Sequence, residues 1–194
     1  MVGPKHLLVV VGVPGFGKTT IIRKVEELLN KSGDRTSVVV FGTIMLGEAK
    51  KVGISKRDEI RKLTIIQQQE LQNKASDYIR SIKDEFIIVD THLFVRTQSG
   101  FLPGIPENVI KKLRPTNLVL ITASPEEILE RRATDHSRDR DIISVEDVNR
   151  ELDLARSMIS TISVLSSAPF EIINNQTNMV ESASNRILEI LTRD

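Results

Sequence analysis

The residues with the clearest capacity for chemistry are Gly17-Lys18-Thr19 and the glycine five positions upstream, Gly12. Together they form Gly12-Val13-Pro14-Gly15-Phe16-Gly17-Lys18-Thr19-Thr20, which fits the pattern G-x-x-x-x-G-K-[ST]. Glycines in such a run let the backbone curl so that successive N–H groups point inward at phosphate oxygens. A helix beginning just after the second glycine adds its positive N-terminal end to the same spot. Lys18 then reaches the terminal phosphates of a nucleoside triphosphate, and the Thr19 hydroxyl ligates Mg²⁺. Phe16 is bulky for the interior of such a loop and is expected to point outward. The ligand is a polyphosphate.

A second group is Asp90, which closes the apolar run Phe86-Ile87-Ile88-Val89. A carboxylate there can hold Mg²⁺ directly or through water. A strand-end Asp also caps turns, so the metal reading rests on the phosphate loop upstream.

Arginines gather in three places. Arg57 and Arg61 are four apart and project from one helix face, where solvated surface charge explains them equally well. Arg96 follows the Asp90 strand. Arg131, Arg132, Arg138 and Arg140 flank a short break, where they repel one another unless Asp135, Asp139 and Asp141 or a phosphate offset them. A kinase acting on an alcohol needs a carboxylate base for the hydroxyl proton. A phosphate acceptor is already anionic and needs cations that hold two repelling phosphates in line. Many arginines and one well-placed acid point to a phosphate acceptor, a nucleoside monophosphate.

Other chemistries find less support. His6, His92 and His136 have no metal-ligand spacing, and there are no cysteines, which excludes disulfides, thiolate metal sites and a cysteine nucleophile. With one Tyr, six Phe and no Trp, a base is expected to be held by arginine planes, backbone and aliphatic walls.

These groups need elements to position them. Apolar, β-branched runs predict strands over 6–11, 36–41, 86–90, 117–121 and 170–174. Helical patterns fall at 18–31, at 42–52 with a break at Gly53 and resumption from Ser55, and at 64–82, 107–113, 124–135, 144–166 and 178–192. In the third of these, Leu71, Ala75, Tyr78 and Ile82 form one apolar stripe, and Gln67–Gln69 a solvated face. Ser124-Pro125-Glu126-Glu127 reads as a capped helix start with Glu127 completing a capping box. Residues 91–106 read as a long loop.

Strands that are apolar throughout and alternate with helices imply an α/β fold, a five-stranded parallel sheet with helices on both faces. Ligands of such sheets sit at the carboxyl ends of the strands, which brings the phosphate loop, Asp90 and the loop after Ile121 to one edge. The 194 residues suit one domain. With 27 Lys+Arg against 26 Asp+Glu, no global basic field calls for nucleic acid or membrane. The first apolar run is too short to span a bilayer and carries no signal-peptide pattern, so a cytoplasmic protein is expected.

The motifs in this order resemble an archaeal-type adenylate kinase, a P-loop nucleoside monophosphate kinase, over essentially the whole chain. The resemblance rests on Gly12–Thr19, Phe41-Gly42-Thr43-Ile44-Met45, Arg57-Asp58-Glu59-Ile60-Arg61-Lys62-Leu63 and Val89-Asp90-Thr91-His92. It rests also on Gly100-Phe101-Leu102-Pro103-Gly104-Ile105-Pro106 and Ser137-Arg138-Asp139-Arg140-Asp141. It implies reversible Mg²⁺-dependent transfer of the ATP γ-phosphate to AMP, giving two ADP. It also implies an AMP-binding insertion at about 42–71 and a short lid without zinc at about 132–143.

By motif match, Gly12–Thr20 bind ATP, with Thr19 and Asp90 on Mg²⁺. Arg57, Arg61 and Arg96 hold the AMP phosphate, while Thr43 and the loop containing Gly104 approach its nucleoside. Arg131 or Arg132 lies against the ATP adenine, and Arg138 and Arg140 close on the transferring phosphate with Lys18. Archaeal members are similar in forming homotrimers. One departure is Asp90-Thr91-His92-Leu93-Phe94-Val95-Arg96, where adenylate kinases outside this branch carry Asp-Gly-Phe-Pro-Arg; it displaces Arg96. Alternatives are a P-loop kinase for another nucleoside monophosphate or for a small alcohol with Asp90 as base, and a nucleotide-binding switch or RNA-associated ATPase.

Overall fold

The computed structural model of the chain describes residues 6–13, 15–60, 62–97, 100–134 and 144–193. The β-branched runs do form the sheet. Strands β1 (His6–Val11), β2 (Thr36–Val40), β3 (Phe86–Asp90), β6 (Asn117–Thr122) and β7 (Phe170–Asn174) pair in parallel in the order β2-β3-β1-β6-β7. β1 is central, and Leu7–Val11 are all buried because helices cover both faces. Its register sets Val9 beside Val89 and Val10 beside Asp90, so the carboxylate at the end of β3 emerges level with the loop that follows β1.

Helix α1 (Lys18–Lys31) returns along the sheet and packs on α8 (Val180–Thr192); Ile21, Ile22, Val25 and Leu29 are its buried face. Ser184 of α8, fully buried, donates its hydroxyl to the Val180 carbonyl one turn back and, at 3.4 Å, to Ile21. On the opposite side of β1 the chain runs through α2 (Phe41–Lys50), α3 (Arg57–Ile60) and α4 (Ile65–Ser81). Phe41 is the first residue of α2 rather than the last of β2, and its ring is buried in the main core. Thr64 and Gln67 form a reciprocal capping box at the start of α4.

Among the described residues two hydrophobic cores result. The larger surrounds the sheet; the smaller consists of Ala49, Ile60 and Leu71, with Met45, Leu46, Ile54 and Leu63 packed on it. α2 and α4 each reach from one to the other: Phe41, Ala75 and Ile79 lie in the main core, Ala49 and Leu71 in the small one. The expected α4 stripe needs correcting, because Tyr78 is 50% exposed and Ile79 takes the buried place. A helix advances about 100° per residue, so Leu71, Ala75 and Ile79 at four-residue spacing keep one face, which Tyr78 leaves.

The described residues of 91–106 form two strands where a long loop is expected. β4 (Phe94–Thr97) and β5 (Gly100–Pro103) form an antiparallel hairpin, with Arg96 opposite Phe101. It leads into α5 (Glu107–Leu113), which packs on α4 through Asn73–Asn108 and Lys112–Asp77 contacts. Beyond β6, α6 (Pro125–Thr134) and α7 (Val145–Ser166) are joined by a buried ion pair between Arg132 and Glu151, 2.8 Å apart. Among the described residues no helix is long and apolar enough to cross a membrane.

Candidate active site at the carboxyl edge of the sheet

The phosphate loop leaves β1 at Gly12 and enters α1 at Lys18. Gly17 takes a left-handed conformation, φ 75°, as the residue before the helix. A Cβ there would also lie 2.5 Å from Asn175 Nδ2, so two independent constraints require glycine. Lys18, only 8% exposed, places its Nζ 3.1 Å from Asp90 Oδ1. The pair links the first residue of α1 to the last of β3, and it comes together because β1 and β3 are in register to their ends. Phe16 corrects the sequence expectation: its ring is 1% exposed and belongs to the main core, while its carbonyl accepts a hydrogen bond from Asn175 Nδ2 at 2.9 Å. The bulky side chain turns down into the core and leaves the backbone to line the loop. Thr19 and Thr20 are exposed.

One wall of the loop comes from the end of the chain. The Asn175 N–H donates to the Thr122 carbonyl at 2.7 Å, extending the β6–β7 pairing by one rung, and this carries the buried Asn175 side chain to the loop. Arg131 Nη2 donates to the Asn175 carbonyl at 3.0 Å. Gly17, Thr20, Arg131 and residues 175–178 line an open pocket of about 350 Å³ beside the loop. Its rim is fixed by Glu127, whose carboxylate accepts from both the N–H and the hydroxyl of Thr177 at 2.6 Å. Those two bonds, the hydroxyl first, hold the Glu127 carboxyl below the usual range; Arg131 and the Ser124 N–H add to the effect, and desolvation opposes it. The Ser124 hydroxyl in turn accepts the Glu127 N–H at 3.3 Å, the expected cap.

Arg132 faces elsewhere. Its stem passes beside Gly15 and its guanidinium is committed to Glu151.

On the other side of β1, Arg57 Nη2 donates to Thr43 Oγ1 at 2.8 Å, so two of the residues read from sequence as one subsite do meet. The turn before them is pinned by Glu59, which accepts the N–H groups of Ser55 and Lys56 at 3.0 and 2.9 Å. These bonds, that from Lys56 foremost, lower its carboxyl below the usual value. Gly104 lies against the backbone of the segment after β3: its N–H donates to Leu93 at 2.7 Å, and a Cβ on it would overlap the His92 carbonyl oxygen. Arg96 sits in β4. Pro14, Arg61, Arg138, Arg140 and most of the 132–143 segment lie outside the described residues.

The Thr19 hydroxyl and the Asp90 carboxylate would make a hard-oxygen donor set. Mg²⁺ suits it, since that ion takes one or two protein oxygens and fills its shell with phosphate and water. Among the described residues no group of three or more His, Asp or Glu is arranged to hold a metal by itself.

Sequence reasoning missed the contribution of Asn175–Asn178 and of Glu127. For the first the signal was present: Asn174-Asn175-Gln176-Thr177-Asn178 is a polar run directly after an apolar strand, at the same edge as the phosphate loop.

Residues 11–149 match a family model described as an AAA domain. The chain is 39% identical over 187 residues to the adenylate kinase of Methanocaldococcus jannaschii, covering 95% of this chain and 97% of the relative. It is 39% identical to that of Pyrococcus furiosus, covering 95% and 94%, and 36% identical to that of Thermoplasma acidophilum, covering 96% and 98%. Among solved structures, a shikimate kinase from Bacteroides thetaiotaomicron superposes with a TM-score of 0.63 at 14% identity, covering 97% of this chain and 99% of that one. A sugar kinase from Janibacter sp. superposes with a TM-score of 0.54 at 15% identity, covering 97% and 96%. At such identities these two establish the shared fold.

Proposed function

The chain belongs to the adenylate kinases, and from that premise we propose how its residues divide the work of moving a phosphoryl group from ATP to AMP. Its function is adenylate kinase activity, the reversible conversion of ATP and AMP into two ADP. The observation that carries the assignment of roles is the Lys18–Asp90 contact, which puts a cation and a carboxylate at the mouth of the phosphate loop.

Loop N–H groups of Gly12–Thr20 and the Lys18 ammonium hold the β- and γ-phosphates. An oxygen of the AMP phosphate attacks the γ-phosphorus as the bond from that phosphorus to the β–γ bridging oxygen breaks. The electron pair of the broken bond stays on the departing ADP. The attacking oxygen is already anionic, so no base is required. Thr19 and Asp90 would hold Mg²⁺, which when bound would supply positive charge beside the phosphates. Arg131 rather than Arg132 flanks the ATP base, because it lines the pocket beside the loop while Arg132 is bound to Glu151.

Arg57, Arg61 and Arg96 hold the AMP phosphate in line, with Thr43 and the Gly104 segment at the nucleoside. The small second core supports reading 42–71 as the AMP-binding insertion, since it gives that segment its own packing. Arg138 and Arg140, on a lid at 132–143, close over the transferring phosphate and exclude water that would hydrolyse ATP. A homotrimer, as family resemblance implies, located in the cytoplasm completes the reading.

Incubation with MgATP and each of AMP, UMP, CMP, GMP and a small alcohol tests it. Two ADP per AMP consumed, with AMP the best acceptor, is expected. Turnover of an alcohol or another monophosphate without turnover of AMP would overturn it. Sedimentation should give a mass three times that of the 21.8 kDa chain.

A further inference from the structure

His92 Nδ1 lies 3.2 Å from the carbonyl oxygen of Gly12. A carbonyl oxygen only accepts, so Nδ1 must carry the proton. The ring therefore reaches from the segment after β3, on the acceptor side, to the first peptide of the phosphate loop. At its other end the His92 backbone is clamped: the Gly104 N–H donates to the next carbonyl, Leu93 O, at 2.7 Å, and Gly104 packs so closely that no side chain fits against the His92 carbonyl. The buried Leu93 anchors the same stretch in the main core.

We propose that His92 is a positioning residue for ATP: by holding the Gly12 carbonyl it fixes the Gly12–Val13 peptide, and with it the direction in which the phosphate loop leaves β1. The physical link is peptide planarity. In a trans peptide the C=O and the following N–H point in opposite directions, so fixing one fixes the other. A peptide free to rotate presents its carbonyl to phosphate in part of the population, which exchanges an attractive contact for a repulsive one. Preorientation of donors aimed at phosphate is where a loop of this kind gains both affinity and rate. His92 makes this contribution without touching the nucleotide. The inference rests on reading Gly12–Thr20 as the ATP phosphate loop.

The side chain that best replaces the contact is asparagine, whose Nδ2 falls near the place of the imidazole Nδ1; glutamine places its amide too far out. With the full chain, His92→Ala and His92→Gln should lower kcat/KM for MgATP at least tenfold, about 1.4 kcal/mol. Asn in place of His92 should stay within threefold of the parent. KM for AMP should move less than threefold in all three, because the clamp at Gly104 acts through backbone and not through the ring. Parallel losses for MgATP and AMP, or Asn and Ala variants that behave alike, would overturn the proposal.

Long-range ¹H–¹⁵N spectra of the ¹⁵N-histidine-labelled parent provide a check that needs no variant. They should show His92 with its proton on Nδ1, and a proton on Nε2 alone would overturn the proposal as well. If the parent itself fails to bind MgATP in titration calorimetry, the phosphate-loop reading fails. If it binds and the Ala variant matches it, only the role of His92 does.

Discussion

At the scale of single residues, Lys18 carries two duties. Its ammonium neutralises Asp90 at 3.1 Å, in a place only 8–13% exposed. In the proposed reaction the same charge would gain a phosphate as its second partner, so the loop would present a cation already desolvated and oriented. Replacing it removes a preorganised donor and also leaves Asp90 facing incoming phosphate with like charge. Lys18→Ala should therefore lower kcat by at least about 10²–10³-fold in a coupled ADP-formation assay. The fold should survive, because Lys18 is the first residue of α1 and the buried face of that helix lies beyond it. Activity within tenfold of the parent would remove Lys18 from the phosphate site. Phe16 shows how residue type misleads at this scale. A large side chain in a phosphate loop suggests an outward direction, yet the ring lies in the main core while the Phe16 carbonyl ties to Asn175.

Elements set the next scale, and here the contacts between α6 and the turn before α8 matter most. Glu127, in the first turn of α6, holds Thr177 by two hydrogen bonds and so fixes one rim of the pocket beside the phosphate loop. Its carboxyl is lowered in the folded chain, and the unfolded chain therefore binds more protons in the acid range. The stability it contributes is complete above the ordinary glutamate value of about 4.3 and is lost as pH falls through the lower folded value. Thermal unfolding followed from pH 7 to about pH 3 should show Glu127→Gln losing less stability on acidification than the parent, with the parent the more stable at neutral pH. Curves that run parallel would mean that Glu127 does not titrate differently in the two states. The same helix holds α7 through Arg132 and Glu151, a pair about 10% exposed, which keeps Arg132 off the pocket that Arg131 lines.

Taken as a whole molecule, much of the fold was legible because its signals are local and repeated. Five apolar runs, each followed by a helical pattern, admit few arrangements other than a covered parallel sheet, and the carboxyl-edge rule then places Gly12–Lys18 and Asp90 together. The 91–106 hairpin was not legible: its strands are four residues each, pair only with each other, and are bounded by Gly100 and Pro103, which read as breakers. Nor was the bond from His92 to Gly12, which joins residues 80 apart and leaves no mark on either sequence neighbourhood. The ring of Tyr78 suggests a place in the apolar stripe, although the four-residue spacing of Leu71, Ala75 and Ile79 excludes it.

The two cores have a consequence for local opening. The small one rests on three buried residues, Ala49, Ile60 and Leu71, against some forty around the sheet, so it should give way at far lower cost. α4 crosses from one to the other without a break and so records both thresholds along its length. Amide hydrogen exchange in the nucleotide-free protein should find the Leu71 N–H released by opening of the tip alone. The Ile79 N–H should exchange only when the entire chain unfolds. Equal protection at the two positions would mean a single cooperative unit. A graded result would make one uninterrupted helix a gauge of two separate stabilities.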